Sequence, residues 1–170
     1  MAEVRLRNFL REDSKRLAHI ANSISISRNL RDGFPHPYTE ADAIIFIDKC
    51  LSMEPKSFFA IEYKGEYVGN IGLVVGNDVY RMTAELGYFV GEDFWNKGIA
   101  SQAIKQICDF GFKKLTLHRI YAGVFENNKS SMRVLEKSGF TKEAVFKKAV
   151  FKENKILDEH RYALINPNLA

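Results

Sequence analysis

Between residues 57 and 125 the chain lays down three strand-like segments in succession, then a segment of helix length, then a fourth strand. That order is the strongest constraint on what it can fold into. SFFAIEY (57–63) and EYVGNIGLVVG (66–76) flank Lys64 and Gly65, a tight-turn pair that joins them as a hairpin. A third strand, roughly 80–90, follows the turn-like GNDV. Residues 99–115 then place Ala100, Ala103, Ile104, Ile107, Phe110 and Gly111 on one helical face, and HRIYAGVF (118–125) returns as a strand. Strands joined by tight turns pair antiparallel, whereas a strand that leaves through a helix and comes back can pair parallel. The expectation is an α+β domain whose mostly antiparallel central sheet, flanked by helices, becomes parallel only across the helix crossover.

The flanks fit the same plan. VRLRNF (4–9) alternates as a half-buried strand does, and Asp13 or Ser14 can cap a helix running to about Ala21. SRNLRDGFPHPYT (27–39), with two prolines and a glycine, is expected as a loop. Thr39 then precedes a helix whose Ala43, Ile44, Ile47 and Leu51 recur at helical spacing. Asn128 opens a short helix that stops at Gly139, a natural left-handed terminator. Two further strands, 141–151 and 156–165, close the chain around a turn at 152–155. With no internal repeat, low-complexity tract or linker, residues 1–170 are expected to form one domain.

Composition narrows the function classes. No run approaches the length of a membrane span, and the N-terminus lacks the apolar stretch of a secretory signal, so a cytoplasmic protein is expected. Cys50 and Cys108 have no metal-ligand spacing and are expected as buried thiols, and the scattered histidines argue against a metal site. A net charge of +4, from 25 basic and 21 acidic side chains, permits an anionic ligand. The basic residues are interspersed with acids, and KKLTLHR and FKKAVFKENK lack the aromatic interleaving of single-strand binders, so nucleic acid is not the expected partner.

DFWNKGIASQA (93–103) is the stretch that carries chemistry. At a strand-to-helix crossover the first backbone N–H groups of the helix lack internal partners and point outward with the positive end of the dipole. A phosphate satisfies several of them together. Gly98 removes a blocking side chain, Ala100 stays small, and Lys97 can add a mobile positive charge. A plain connector with one permissive glycine is the competing reading. Neither GxxxxGK[ST] nor GxGxxG occurs, so the usual nucleotide motifs are absent.

W-N-K-G-I-A at that helix start and N-K-S-S-M-R-V-L-E-K-S-G-F about thirty residues later, in this order of elements, resemble the GNAT superfamily of acyl-CoA-dependent N-acyltransferases. More narrowly they are similar to its RimJ/RimL-like branch, whose members acetylate protein N-terminal amines and, in relatives, small amines. Trp95, Gly98 and Ala100 fill the family's glycine signature. The resemblance implies a GNAT fold, acetyl-CoA as cosubstrate and no metal. It implies that acetyl-CoA lies in a split between the meander's last strand and the strand after the crossover helix. The pantetheine arm would pair with the edge of Tyr88, Phe89 and Val90, and the motif Trp95, Asn96, Lys97, Gly98, Ile99, Ala100 and Ser101 would hold the pyrophosphate. Asn128 and Ser131 would touch the cofactor or the thioester, Asn128 being equally readable as an N-cap.

An ammonium has no lone pair, so a base must remove the acceptor's proton. Glu85 is the candidate base, and a backbone N–H near Phe89 the candidate oxyanion donor, aimed by a bulge in the strand. Many relatives protonate the leaving thiolate with a tyrosine in the second helix. Here Leu135 stands at that place, and Ser131 matches a serine used in the RimL-like relatives. Arg31, Phe34 and Tyr38 are the expected acceptor contacts, with Phe34 and Tyr38 also readable as core, and Trp95 as a wedge between helix and strand. The acceptor is expected to be a peptide N-terminus or a small amine. A non-catalytic acetyl-CoA-binding regulatory module is the alternative, and a homodimer through the C-terminal strands is compatible with the sequence.

Overall fold

The computed structural model describes residues 3–168. Its strands are β1 (Val4–Arg7), β2 (Phe58–Tyr63), β3 (Glu66–Val75), β4 (Thr83–Val90), β5 (Arg119–Phe125), β6 (Thr141–Lys152) and β7 (Lys155–Ile165). Its helices are α1 (Ser14–Ala21), α2 (Ile24–Ser27), α3 (Glu40–Ser52), α4 (Ile99–Lys114) and α5 (Lys129–Lys137). The strands form one mixed sheet in the order β1-β2-β3-β4-β5-β7-β6. β1 pairs antiparallel with β2 and β2 with β3, as do β5 with β7 and β7 with β6; β4 and β5, joined through α4, pair parallel. The expected α+β architecture with a single parallel crossover is therefore present.

Local chemistry explains the element ends. Lys64 (φ 54°) and Gly65 (φ 81°) turn the β2–β3 hairpin in the left-handed region. Thr39 and Asp42 form a reciprocal capping box at α3, with Asp42 N donating to Thr39 Oγ1 at 3.2 Å and Thr39 N to Asp42 Oδ2 at 2.8 Å. Gly139 (φ 88°) follows the last turn of α5.

Several expectations are corrected. β1 ends at Arg7 rather than Phe9, because Phe9 turns into the core while the Arg7 guanidinium is held by Asp13 (2.7 and 2.8 Å) and Glu62 (2.8 Å). Those bonds, the Asp13 one foremost, raise the Arg7 pKa above its ordinary value. Asp13 occupies the cap position of α1 but makes no cap bond; its carboxylate accepts from Arg7 and from Leu10 N instead. Ile44, expected on the buried face of α3, is 47% exposed, and Cys50 completes the stripe begun by Ala43 and Ile47. The third meander strand starts at Thr83, since Asp78–Tyr80 form a 3-10 turn and Gly76 N reaches Thr83 O at 2.8 Å. The short helix α2 was not expected; Ser23 Oγ caps it by accepting from Ile26 N.

Contacts cluster in two compact units, one built from the chain up to Gly72 with Tyr88–Ala103, the other from Leu73–Gly87 with the chain from Ile104 onward. In the first, Leu17, Ala21, Ile47 and Tyr67 sit in one apolar cluster. In the second, Gly111 on α4 lets Leu73, Leu117 and Ile120 close in; a β-carbon there would stand 2.8 Å from Leu73 Cδ1. Cys50 and Cys108 are buried free thiols, pushed up by desolvation to about 11 and about 12. Burial thus disfavours the thiolate form of both. Among the described residues no helix is long and apolar enough to cross a membrane, and no cluster of three His, Cys, Asp or Glu side chains could hold a metal ion.

Candidate active site

In the first unit, the end of β4 is set by one close backbone approach. A β-carbon at Gly69 on β3 would lie 2.2 Å from the Phe89 carbonyl oxygen, so this oxygen fills the space where position 69 lacks a side chain. Gly91 N donates to Val68 O at 2.9 Å just beyond. The Trp95 indole N–H donates to Val90 O at 2.7 Å, which ties the turn after β4 back onto the strand. Val90 O is thus already engaged. Trp95 itself remains 45% exposed.

The turn that follows uses two left-handed residues, Asn96 (φ 61°) and Gly98 (φ 73°). Gly98 O accepts the first helical bond of α4, from Gln102 N at 3.2 Å. The preceding N–H groups at the helix mouth, including those of Ile99, Ala100 and Ser101, therefore have no intrahelical acceptor. No acidic side chain occupies this first turn. A β-carbon at Gly98 would meet nothing within 4 Å, so the glycine faces open space. Ile99 is buried and anchors the turn from below. This geometry fits a diphosphate. Lys97 is corrected: its ammonium donates to Asp93 O at 2.8 Å and lies 5.2 Å from the Phe94 ring centre, so it is a tethered charge, not a mobile one.

The loop before α3 lies in the same unit. Tyr38 is buried, its ring 4.8 Å from Phe34 and its phenol pushed up to about 12, chiefly by desolvation. It is core, which corrects its place among the acceptor contacts. Phe34 is half-buried and packs edge-on to Phe89 at 5.5 Å, so it does reach the residue at the strand edge. Arg31 is exposed.

In the second unit, the parallel ladder holds Thr83 opposite Arg119, Ala84 opposite Ile120 and Glu85 opposite Tyr121. Both strands continue past this last pair. Paired residues share a face, so half-buried Glu85 and Tyr121 stand side by side, opposite to the face of Ile120, Ala122 and Val124. On α5, Asn128 is an N-cap: its Oδ1 accepts from Ser131 N at 3.1 Å and Ser130 Oγ at 3.0 Å. That leaves only its amide nitrogen to reach outward. Ser131 is half-buried on the first turn, and Leu135 is fully buried. The departure from a tyrosine acid at that place therefore has a packing reason, since the position points into core.

Residues the sequence reading missed are those whose role depends on register. Gly69 could have been suspected, because glycine inside a strand marks a close backbone approach. Gly123 is the same kind of signal: a β-carbon there would lie 2.7 Å from the Glu159 carboxylate carbon. Nothing local marks Glu159 or Arg161 themselves.

Residues 3–141 match the family model described as the acetyltransferase (GNAT) domain. The chain belongs to this family. Probable N-acetyltransferase YjcK of Bacillus subtilis (strain 168) is 45% identical over 87 residues, a match that spans 51% of this chain and 48% of that protein. Spermidine N(1)-acetyltransferase of Escherichia coli (strain K12) is 30% identical over 141 residues, 82% of this chain and 74% of that one. Among solved structures, a GNAT-family acetyltransferase from Bacillus anthracis superposes with a TM-score of 0.83 at 29% identity, over 97% of this chain and 96% of that one. Mycobacterium smegmatis RimJ, solved with CoA-disulfide, superposes at 0.86 with 24% identity, over 98% of this chain and 83% of that one; at that identity the likeness is one of fold. The GNAT domain described here is thus an acetyl-CoA-dependent N-acetyltransferase domain, with acetyl-CoA as cosubstrate.

Proposed function

We propose that this GNAT domain acetylates the primary amine of a peptide N-terminus or a small amine, with Glu85 as the base, and that it belongs to the RimJ/RimL-like branch. The observation that carries the reading is Glu85 on the last rung of the parallel ladder, a half-buried carboxylate beside Tyr121. Acetyl-CoA supplies an activated acyl thioester. Backbone N–H groups of Gly98, Ile99, Ala100 and Ser101 hold its diphosphate, and the main chain of Tyr88 and Phe89 pairs with its extended arm. Glu85 takes the ammonium proton, directly or through water, and so exposes the lone pair. Ser131 is the nearest equivalent of an acid at the start of α5. A weak donor suffices there, because a thiolate leaves readily near neutral pH. Phe34, packed on Phe89, supports the acceptor side, and exposed Arg31 lies on the same loop.

The spermidine acetyltransferase likeness keeps small polyamines in the panel of acceptors. Thiol release from acetyl-CoA, measured with free N-terminal peptides, monoamines and spermidine, tests the reading. Acceptor-dependent release with at least one class is expected. Saturable acetyl-CoA binding with no release for any amine would leave the regulatory-module alternative, consistent with Leu135 in place of a tyrosine.

Gly98→Ala tests the cradle separately. The left-handed backbone costs a residue with a β-carbon about 1–2 kcal/mol, and the new methyl group projects into the space assigned to the diphosphate. The expected result is a modest loss in denaturant midpoint with a much larger relative loss of acetyl-CoA affinity by calorimetry. Unchanged affinity would remove the helix mouth from the binding site.

A further inference from the structure

The face that carries Glu85 holds a second charged group that the acetyl-transfer chemistry does not use. Tyr121 on β5 lies under the Arg161 guanidinium, whose central carbon stands 4.6 Å from the ring centre. Phe146 on β6 flanks the same guanidinium at 4.8 Å. Glu159 completes the clamp: Arg161 Nη2 and Nε donate to its Oε1 at 2.6 and 3.2 Å. The Glu159 carboxylate is accommodated because Gly123 beneath it has no side chain. Register explains why these groups share one face, since Gly123 pairs with Arg161, Phe125 with Glu159, and Phe146 with Glu159. The Arg161 side chain retains 25% exposure, and its Nη1 group has no acceptor among the described residues.

A planar cation held between two rings is pre-organised and loses little freedom when it binds a ligand. Glu159 takes one edge of the fork, and the Nη1 edge is left to donate. Glu85 opposes Tyr121, whose ring the guanidinium covers, so carboxylate and guanidinium share one face across two strand spacings, on the order of 10 Å. This is the span from a peptide's terminal amine to a group on its next residue.

Resting on the reading of Glu85 as the base, we propose that Arg161 is a specificity-determining residue. It receives an anionic group, carboxylate or phosphate, carried by the acceptor about one residue from the reacting amine, and it disfavours polycations. The preferred acceptors are then acidic amino-acid or peptide amines in place of spermidine-like chains.

The test compares amidated Ala-Glu, Ala-phosphoserine and Ala-Gln dipeptides and spermidine. It uses the full chain, its Arg161→Gln variant, and Phe146→Leu, which loosens the clamp from its exposed side. Turnover ratios are read by thiol release, and dipeptide affinity by calorimetry on protein saturated with CoA. A charge-assisted hydrogen bond predicts a preference for the anionic dipeptides over Ala-Gln of about tenfold or more. That preference should fall toward one in Arg161→Gln and be reduced in Phe146→Leu. The two anionic dipeptides separate a carboxylate site from a phosphate site. Absence of the preference in the unmodified chain, or its persistence in Arg161→Gln, overturns the proposal. The affinity ratios decide this even where no dipeptide is turned over, and failure of the Glu85 reading shows separately, as unchanged turnover in Glu85→Gln.

Discussion

Glu85→Gln is expected to lower turnover by about 10²–10⁴-fold while acetyl-CoA affinity is retained. Glutamine keeps the size and hydrogen-bonding reach of the side chain but has no carboxylate to take a proton. The residual rate should then follow the small fraction of acceptor already deprotonated in solution. For an α-amine with a pKa of about 8, this rate climbs with pH through that value. The unmodified chain, which removes the proton at the site, should show a shallower rise over the same range. Thiol-release kinetics from pH 6 to 9, with calorimetry for acetyl-CoA, measure both properties. Equal turnover in the two proteins would take Glu85 out of the mechanism and leave the coenzyme site intact.

The second large effect is structural. Gly69→Ala is expected to destabilise the chain by about 3 kcal/mol. The added carbon would stand 2.2 Å from Phe89 O, 3.0 Å from Val90 Cα and 3.1 Å from Phe89 C. All three are backbone atoms, so no side-chain rotation relieves the overlap and the end of β4 must move. Acetyl-CoA affinity should fall with stability, since Tyr88 and Phe89 form the edge assigned to the pantetheine arm. Gly87→Ala, in the same strand but with nothing within 4 Å of the new carbon, is the control and should be close to neutral. Denaturant unfolding of both variants gives the comparison. A Gly69→Ala protein as stable as Gly87→Ala would mean that β3 and β4 approach each other less closely than described.

These variants differ in how visible their basis is in the chain. Glu85 could be nominated from its place in a strand before the glycine motif, and Gly98 from the strand-to-helix change around it. Both depend on neighbours within a few residues. Ile44 and Tyr38 went the other way. Ile44 fits a helical apolar stripe as well as Cys50 does, but only the packing of α3 selects which of them is covered. Tyr38 reads as a loop aromatic available to a ligand, yet its ring is stacked on Phe34 and enclosed in the first unit's core. Lys97 looks like a free charge beside the cradle, and the turn's geometry instead brings it onto Asp93 O and the Phe94 ring.

The order of elements, the single parallel crossover and the glycine-led mouth of α4 were determined by the amino-acid sequence itself. They arise from turn pairs, capping residues and periodicities that act over a few bonds, and such preferences are written locally. The Phe89 carbonyl over Gly69, the Glu159 carboxylate over Gly123 and the Arg161 guanidinium between Tyr121 and Phe146 were decided only by the tertiary structure. Each joins residues on different strands, and a shift of one residue in register would break every one of these contacts.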